Sequence, residues 1–128
     1  MDWKGLLGWS ELELDDLRFV GYSYLRDGLY DTALTFFSAL VEIDPQNPYD
    51  YQMLGALHLQ RGNGMQALEA LERALQIDPT QLGAQLNRAK ALLLLGYKRQ
   101  GLLAAKELET CLEPEIATQA SALLLAYK

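Results

Sequence analysis

Gly28-Leu-Tyr-Asp-Thr-Ala-Leu-Thr-Phe-Phe-Ser-Ala-Leu-Val-Glu-Ile-Asp-Pro45 is answered, 34 residues later, by Gly62-Asn-Gly-Met-Gln-Ala-Leu-Glu-Ala-Leu-Glu-Arg-Ala-Leu-Gln-Ile-Asp-Pro79. The glycine returns again as Gly96. Working outward, Gly21 recurs as Gly55 with Ala89 in the third copy, Ala33 recurs as Ala67, and Leu25 recurs as both Leu59 and Leu93. Independent coincidences at one period do not follow from a leucine-rich composition. The chain is a repeat, and the repeat decides its fold.

Each unit has room for two helices of about 13 residues and two short turns. The glycines of the Gly28 series follow apolar helical stretches, where a helix end needs a left-handed residue. Each Asp-Pro falls where a second helix must stop, because proline disfavours helix in the residue before it and lacks its own amide donor. Gly21, Gly55 and Ala89 sit mid-helix, where glycine costs about 1 kcal/mol against alanine. That cost is repaid if two helices approach too closely there for a larger side chain. Such a helical pair cannot bury its apolar face alone and must stack on its neighbours.

Composition agrees. The 28 Leu and 15 Ala stand against five Val and Ile together, a helix-former excess that predicts an all-α fold. At ~100–200 residues per domain, 128 residues make one domain. One cysteine and one histidine leave no internal disulfide and no Cys/His metal cage. The net charge of −6 disfavours a phosphate backbone, so no nucleic-acid partner is expected. The excess is N-terminal: residues 1–50 carry three basic and ten acidic side chains, residues 51–128 eight and seven. It favours a basic partner there or serves solubility. No apolar run approaches the ~20 residues of a membrane span, and Met1-Asp2-Trp3-Lys4 lacks the features of a secretory signal, so a cytoplasmic protein is expected.

With copies starting at Leu14, Pro48 and Leu82, the residues resemble the tetratricopeptide family. The first copy places Leu17, Val20-Gly21, Tyr24, Gly28, Tyr30, Ala33, Phe37 and Pro45 on its signature, and the second Tyr51, Leu54-Gly55, His58, Gly62, Ala67, Leu71, Ala74 and Pro79. The third departs from it: Gln85 and Arg88 replace apolar residues, Gly101 replaces the alanine, and Pro114 comes one residue late. The resemblance implies a superhelix of three repeats plus a capping helix. The segments are 1–13 (extension and cap), 14–47, 48–81, 82–113 (degenerate repeat) and 114–128 (capping helix). Ser10 and Glu13 have capping-box spacing, so the first helix is expected to start near Glu11. Pro114 suits the first turn of the last helix. Residues 1–9 either pack on the first repeat or reach a second subunit.

No catalytic constellation emerges, and neither enzyme activity nor a cofactor is expected. His58 takes the place of Tyr24 and Leu92, between helices, with no Ser, Cys or carboxylate placed to partner it. Cys111 takes the slot of Ile43 and Ile77 at the end of the sixth expected helix, as a small hydrophobe. Asp15 and Asp16, adjacent on a helix, point in different directions. Arg61-Gly62-Asn63-Gly64 lacks the lysine and strand context of a phosphate cradle.

What remains is a surface. The resemblance implies that the first helix of each pair lines a concave groove. Carried over, the groove takes Asp15, Arg18, Tyr22, Leu25 and Arg26 from the first copy, and Tyr49, Gln52, Ala56, Leu59 and Gln60 from the second. Gly83, Leu86, Lys90, Leu93 and Leu94 come from the third. Leu25, Leu59 and Leu93 are expected to form one apolar stripe, which awaits an apolar or amphipathic ligand or is covered by residues 1–9 or a second subunit. The family's clamp for acidic C-terminal tails is broken, because its places hold Arg18, Tyr22, Met53, Gly83 and Asn87.

A closer similarity is to the small tetratricopeptide chaperones of bacterial type III secretion. It rests on the stretch from Gly28 to Asp44, on Leu54-Gly55-Ala56-Leu57-His58, and on Arg88-Ala-Lys-Ala-Leu-Leu-Leu-Leu-Gly96. It implies a bacterial cytoplasmic protein that holds an aggregation-prone export substrate, of either the translocator or the needle-subunit class. Self-association, or pairing with a co-chaperone, belongs to the same expectation. The alternative is a scaffold domain that joins folded proteins into a complex.

Overall fold

Ser10 opens the first helix as its spacing predicts: its hydroxyl accepts from the Glu13 amide, and the Glu13 carboxylate accepts from the Ser10 amide. The computed structural model describes Gly5 and residues 8–127. Seven helices follow one another there: α1 (Glu11–Arg26), α2 (Tyr30–Ile43), α3 (Pro48–Gln60), α4 (Gly64–Ile77), α5 (Leu82–Leu94), α6 (Lys98–Leu108) and α7 (Pro114–Ala126). Among the described residues there is no strand. The fold is all-α, a tetratricopeptide-type stack of three helical pairs with a capping helix.

The turns repeat as faithfully as the sequence. Gly28 has φ +81°, Gly62 +77° and Gly96 +90°, the left-handed conformation that ends α1, α3 and α5. Behind them, Leu29, Asn63 and Tyr97 donate their amides to the carbonyls of Tyr24, His58 and Leu92, a bond that satisfies otherwise orphaned helix-end acceptors. At the start of α3, Asn47 Oδ1 accepts from the Tyr49 and Asp50 amides, with Pro48 in the first turn. Pro114 begins α7 in the same way.

Packing explains the mid-helix glycines. A Cβ at Gly55 would lie 2.6 Å from two carbons of Leu71, which is fully buried. One at Gly21 would lie 3.1 Å from the Phe37 ring. In the third pair the close approach moves to the other helix, where a Cβ on Gly101 would lie 2.6 Å from Leu93. The replacement of alanine by Gly101 is thus part of the pairing.

The core comes in three clusters, and each joins a pair to the next helix. Leu14, Ala33, Phe37 and Leu40 gather with Leu57 of α3; Ala67, Leu71 and Ala74 with Ala84 and Ala91 of α5; Leu86 and Leu108 with Ala120 of α7. A fully buried Phe37 contributes roughly 1.5–3 kcal/mol, and Tyr49 and Leu57 of α3 form part of its surroundings. Of the N-terminal expectation, residues 1–4, 6 and 7 lie outside the described residues. Trp9 packs against the first cluster, beside Leu17, Phe36 and Ile43.

Candidate protein-binding groove

Helices α1, α3, α5 and α7 meet in series: α1 touches α3 through Arg18 and Asp50, α3 packs on α5, and α5 packs on α7. The second helices α2, α4 and α6 each pack on their own first helix and on the next one. A stack whose first helices touch in series curves toward them, so α1, α3 and α5 line its inner face.

Three residues expected to line that groove are instead structural. Arg18 is 7 % exposed and its guanidinium is fully engaged. Its Nε donates to both oxygens of Asp50 at 2.9 and 3.0 Å, one terminal nitrogen to Asp44 at 2.6 Å and the other to Asp15 at 2.9 Å. Asp50 is wholly buried. Burial works against the Arg18 charge, but the three carboxylates outweigh it and raise its pKa. Burial likewise pushes the Asp50 carboxyl up, opposed by the hydrogen bonds and charge of Arg18. The third-repeat counterpart, Leu86, is buried with Ile116 and Leu123 of α7 around it. Leu93, 5 % exposed, fills the slot over Gly101, and its neighbour Leu94 takes the outward direction. The expected open leucine stripe is therefore not open: Leu25 and Leu59 are half-buried against the first and second clusters.

The same place in the second pair holds Gln52, whose amide lies over Gly83. Arg18, Gln52 and Leu86 are thus the residues by which each first helix grips the next, a role that uses the inward direction without leaving it free. Lys90 is held too. Its Nζ donates to Gln119 of α7 at 3.0 Å, and burial lowers its pKa. The capping helix thereby occupies the inner face at the third pair.

Most of what stays accessible lies over the first two pairs, with Leu94 exposed in the third. Tyr22 and Arg26 are exposed; Tyr49, Gln52, Ala56 and Leu59 are half-exposed. Tyr49 meets the Phe37 ring edge-on at 6.1 Å, and burial, with Tyr22 and Asp50 nearby, raises its hydroxyl pKa. Two tyrosines with a leucine floor suit a peptide with apolar side chains and a few hydrogen-bonding groups. Arg18, the basic member of the acidic-tail clamp, is already committed to three carboxylates.

Sequence reasoning missed Asp44 and Asp50. The available signal was that Asp50 is the one acidic residue in α3, among apolar and amide side chains. His58 is half-buried between helices with Nδ1 unbonded, beside Tyr51, Leu54, Gln66, Glu69 and Arg73. Cys111 differs from expectation: α6 ends at Leu108, so the thiol sits half-buried in the following turn, 3.5 Å from the Glu113 carbonyl. No helix among the described residues is long and apolar enough to cross a membrane.

Comparison with solved structures places this geometry. The chain is 27 % identical to PcrH in its complex with the chaperone binding region of PopD, with a TM-score of 0.82 over 94 % of each chain. It is 25 % identical to the Yersinia enterocolitica type III secretion chaperone SycD in complex with a peptide of the translocator YopD, with a TM-score of 0.80 over 92 % of this chain and 94 % of that one. The first tetratricopeptide domain of Spaghetti (RPAP3), bound to an HSP90 peptide, shares the fold at 20 % identity and a TM-score of 0.82, over 92 % of each chain. No curated protein matches the sequence. Residues 26–108, more than half of the chain, match the family model described as Anaphase-promoting complex, cyclosome, subunit 3, and the chain belongs to that family of tetratricopeptide-repeat proteins.

Proposed function

We propose that this protein is a bacterial cytoplasmic chaperone that holds an apolar or amphipathic segment of a type III secretion substrate against the inner face of its first two helical pairs. The observation that carries the reading is the likeness to PcrH, solved with the chaperone binding region of PopD, and to SycD, solved with a peptide of the translocator YopD, over more than nine-tenths of this chain. The open residues support it: Tyr22, Arg26, Tyr49, Gln52, Ala56 and Leu59 offer aromatic and apolar contact without a basic clamp. Leu25 forms part of the floor, while Arg18, Leu86, Lys90 and Leu93 shape the groove from beneath. Binding is non-enzymatic and needs no cofactor. A scaffold role, the alternative, would leave a folded partner permanently attached.

The test is co-purification from the producing cell, followed by the solubility of the captured partner with and without this chain. An export substrate that aggregates alone supports the reading; a partner that is folded and soluble alone overturns it. Leu59→Glu is expected to weaken capture at least ~tenfold, because it would bury an unpaired carboxylate under the ligand. Because Leu59 also packs on the second cluster, capture is compared under conditions where circular dichroism shows both chains folded. Leu57→Glu, only two residues away but 1 % exposed in the first cluster, should unfold the protein. Parent-like capture by a folded Leu59→Glu variant would exclude the groove as the binding site.

A further inference from the structure

Two apolar faces at opposite ends of the stack carry opposite charges. On α1, Leu12, Phe19 and Val20 are exposed with Asp16 among them, and Phe19 is 68 % exposed. Between α6 and α7 runs a cleft of about 430 Å³ lined by Leu102, Ser121, Leu124 and Leu125, and it continues past Arg99 and Leu103. Lys106 and Glu109 at its edge hold each other at 2.9 Å. Asp16 and Arg99 have no ion-pair partner among the described residues.

The cleft is shaped for a helix. Counted from the prolines that open α3 and α7, Ser121 stands where Gly55 does and Leu125 where Leu59 does. In the second pair Gly55 marks the closest approach of α4, with Leu71 over it. Ser121 and its neighbours present the same kind of surface, and no described helix fills it.

α1 carries a matching face. Asp16, Phe19 and Val20 keep the same i, i+3, i+4 spacing as Arg99, Leu102 and Leu103. Two helices laid side by side in one direction therefore set carboxylate against guanidinium and, one turn on, apolar pair against apolar pair. Within one molecule α2 to α5 stand between these faces, so they meet only between copies. Joining like to like is opposed by charge: α1 on α1 brings two Asp16 carboxylates into one interface, and cleft on cleft two Arg99 guanidiniums. The chain's own N-terminal segment leaves the face open where it is described. Trp9 packs beside Leu17, about 160° around α1 from Phe19 at ~100° per residue, and Gly8 is exposed.

We propose that copies of this chain join head to tail, the outer face of α1 of one copy seated in the α6–α7 cleft of the next, with Asp16 against Arg99 and Phe19 and Val20 on Leu102 and Leu103. The contact is heterologous: each joined pair keeps one free α1 and one free cleft, so assembly continues beyond the dimer. It uses neither Tyr22 nor Tyr49, and it stands whether or not the inner face holds an export substrate.

Sedimentation velocity of the full chain, over about 5 to 500 µM, is expected to show species larger than a dimer that grow with concentration. Phe19→Glu spoils the α1 face and Leu103→Glu the cleft. Both residues are exposed, and an unchanged thermal midpoint confirms that the variants fold. Each variant alone should associate at least ~tenfold more weakly than the parent. Mixed, they should form a one-to-one dimer and nothing larger, because the intact cleft of the first accepts the intact α1 of the second. Asp16→Arg and Arg99→Asp, each opposed to itself, should likewise assemble when mixed. A parent that is monomeric throughout the range overturns the proposal and leaves the α1 face to residues 1–9 or to a different protein. Absence of the mixed dimer overturns it as well. So does a parent dimer that Phe19→Glu abolishes and Leu103→Glu leaves intact, because α1 then pairs with α1.

Discussion

The first junction between helical pairs and the second follow one period and are held by different chemistry. At the first, Arg18 reaches from α1 into a buried site made by Asp50 and Asp44. At the second, the equivalent places hold Gln52, Ala84 and Asp78. Gln52 lies over Gly83, Ala84 is fully buried among Ala67, Leu71 and Ala74, and Asp78 turns away to accept from Thr80. The period dictates which residues meet, and the side chains decide whether the meeting is ionic or apolar. A buried ion pair returns little net stability, because desolvation consumes most of the attraction. Its contribution at the first junction is register: an arginine at 18 is satisfied only when α3 brings Asp50 to it.

The largest effect is expected from breaking that pair. Asp50→Ala leaves the guanidinium buried with Asp44 and the largely exposed Asp15, and one-sided removal of such a partner typically costs ~3–5 kcal/mol. Against a typical total of ~5–15 kcal/mol, denaturant unfolding should move to a much lower midpoint. Adding Arg18→Gln writes the second junction's chemistry into the first and should recover most of the loss. An Asp50→Ala protein with the parent's midpoint would mean that the network does not hold the junction.

A middle-sized effect separates the two mid-helix glycines. Gly55→Ala places a Cβ 2.6 Å from the branch of a fully buried Leu71, and such overpacking costs ~1–3 kcal/mol, more than the ~1 kcal/mol that alanine returns in helix propensity. Gly21→Ala meets the Phe37 ring edge at 3.1 Å and the Phe36 Cβ at 3.2 Å, where a shift of a few tenths of an ångström suffices. The same propensity gain should then leave it near neutral. Equal changes in the two unfolding midpoints would show that the pairs are packed alike and that the distances mislead.

Backbone features were legible in the sequence; side-chain commitments were not. The Ser10 capping box, the left-handed turns at Gly28 and its equivalents, and the contact beneath Gly55 are local demands that a residue type announces. Arg18 read as a groove residue because its helical position points inward and a charged side chain there is usually solvated. What hid its role was Asp50, brought to it only by stacking. Leu93 read as part of an open stripe because its place is open in the general pattern, but here Gly101 leaves a slot that it fills. Cys111 departs for a simpler reason: α6 stops at Leu108, short of it. With α7 against Leu86 and Lys90, the proposed groove keeps most of its accessible residues over the first two pairs.

The smallest effect lies at one place of the repeat that holds a different residue type in each pair: Tyr24, His58 and Leu92. Burial, then the charge of Arg61, holds the His58 imidazole below its ordinary pKa, and Glu69 offsets only part of this. Arg73 lines the same cleft. The unfolded chain, with an ordinary value near ~6.5, takes the proton more readily than the folded one. The stability this contributes is complete above that value and is lost as the pH falls through the lowered, folded value. Thermal midpoints measured from pH 7.5 down to 5 should therefore fall more steeply for the parent than for His58→Leu, which gives the second pair the residue of the third. Carboxylates titrate in both proteins and cancel in the difference. Two parallel curves would mean that His58 is as free to take a proton in the stack as in the unfolded chain, and that this place is no more closed in the second pair than on the surface.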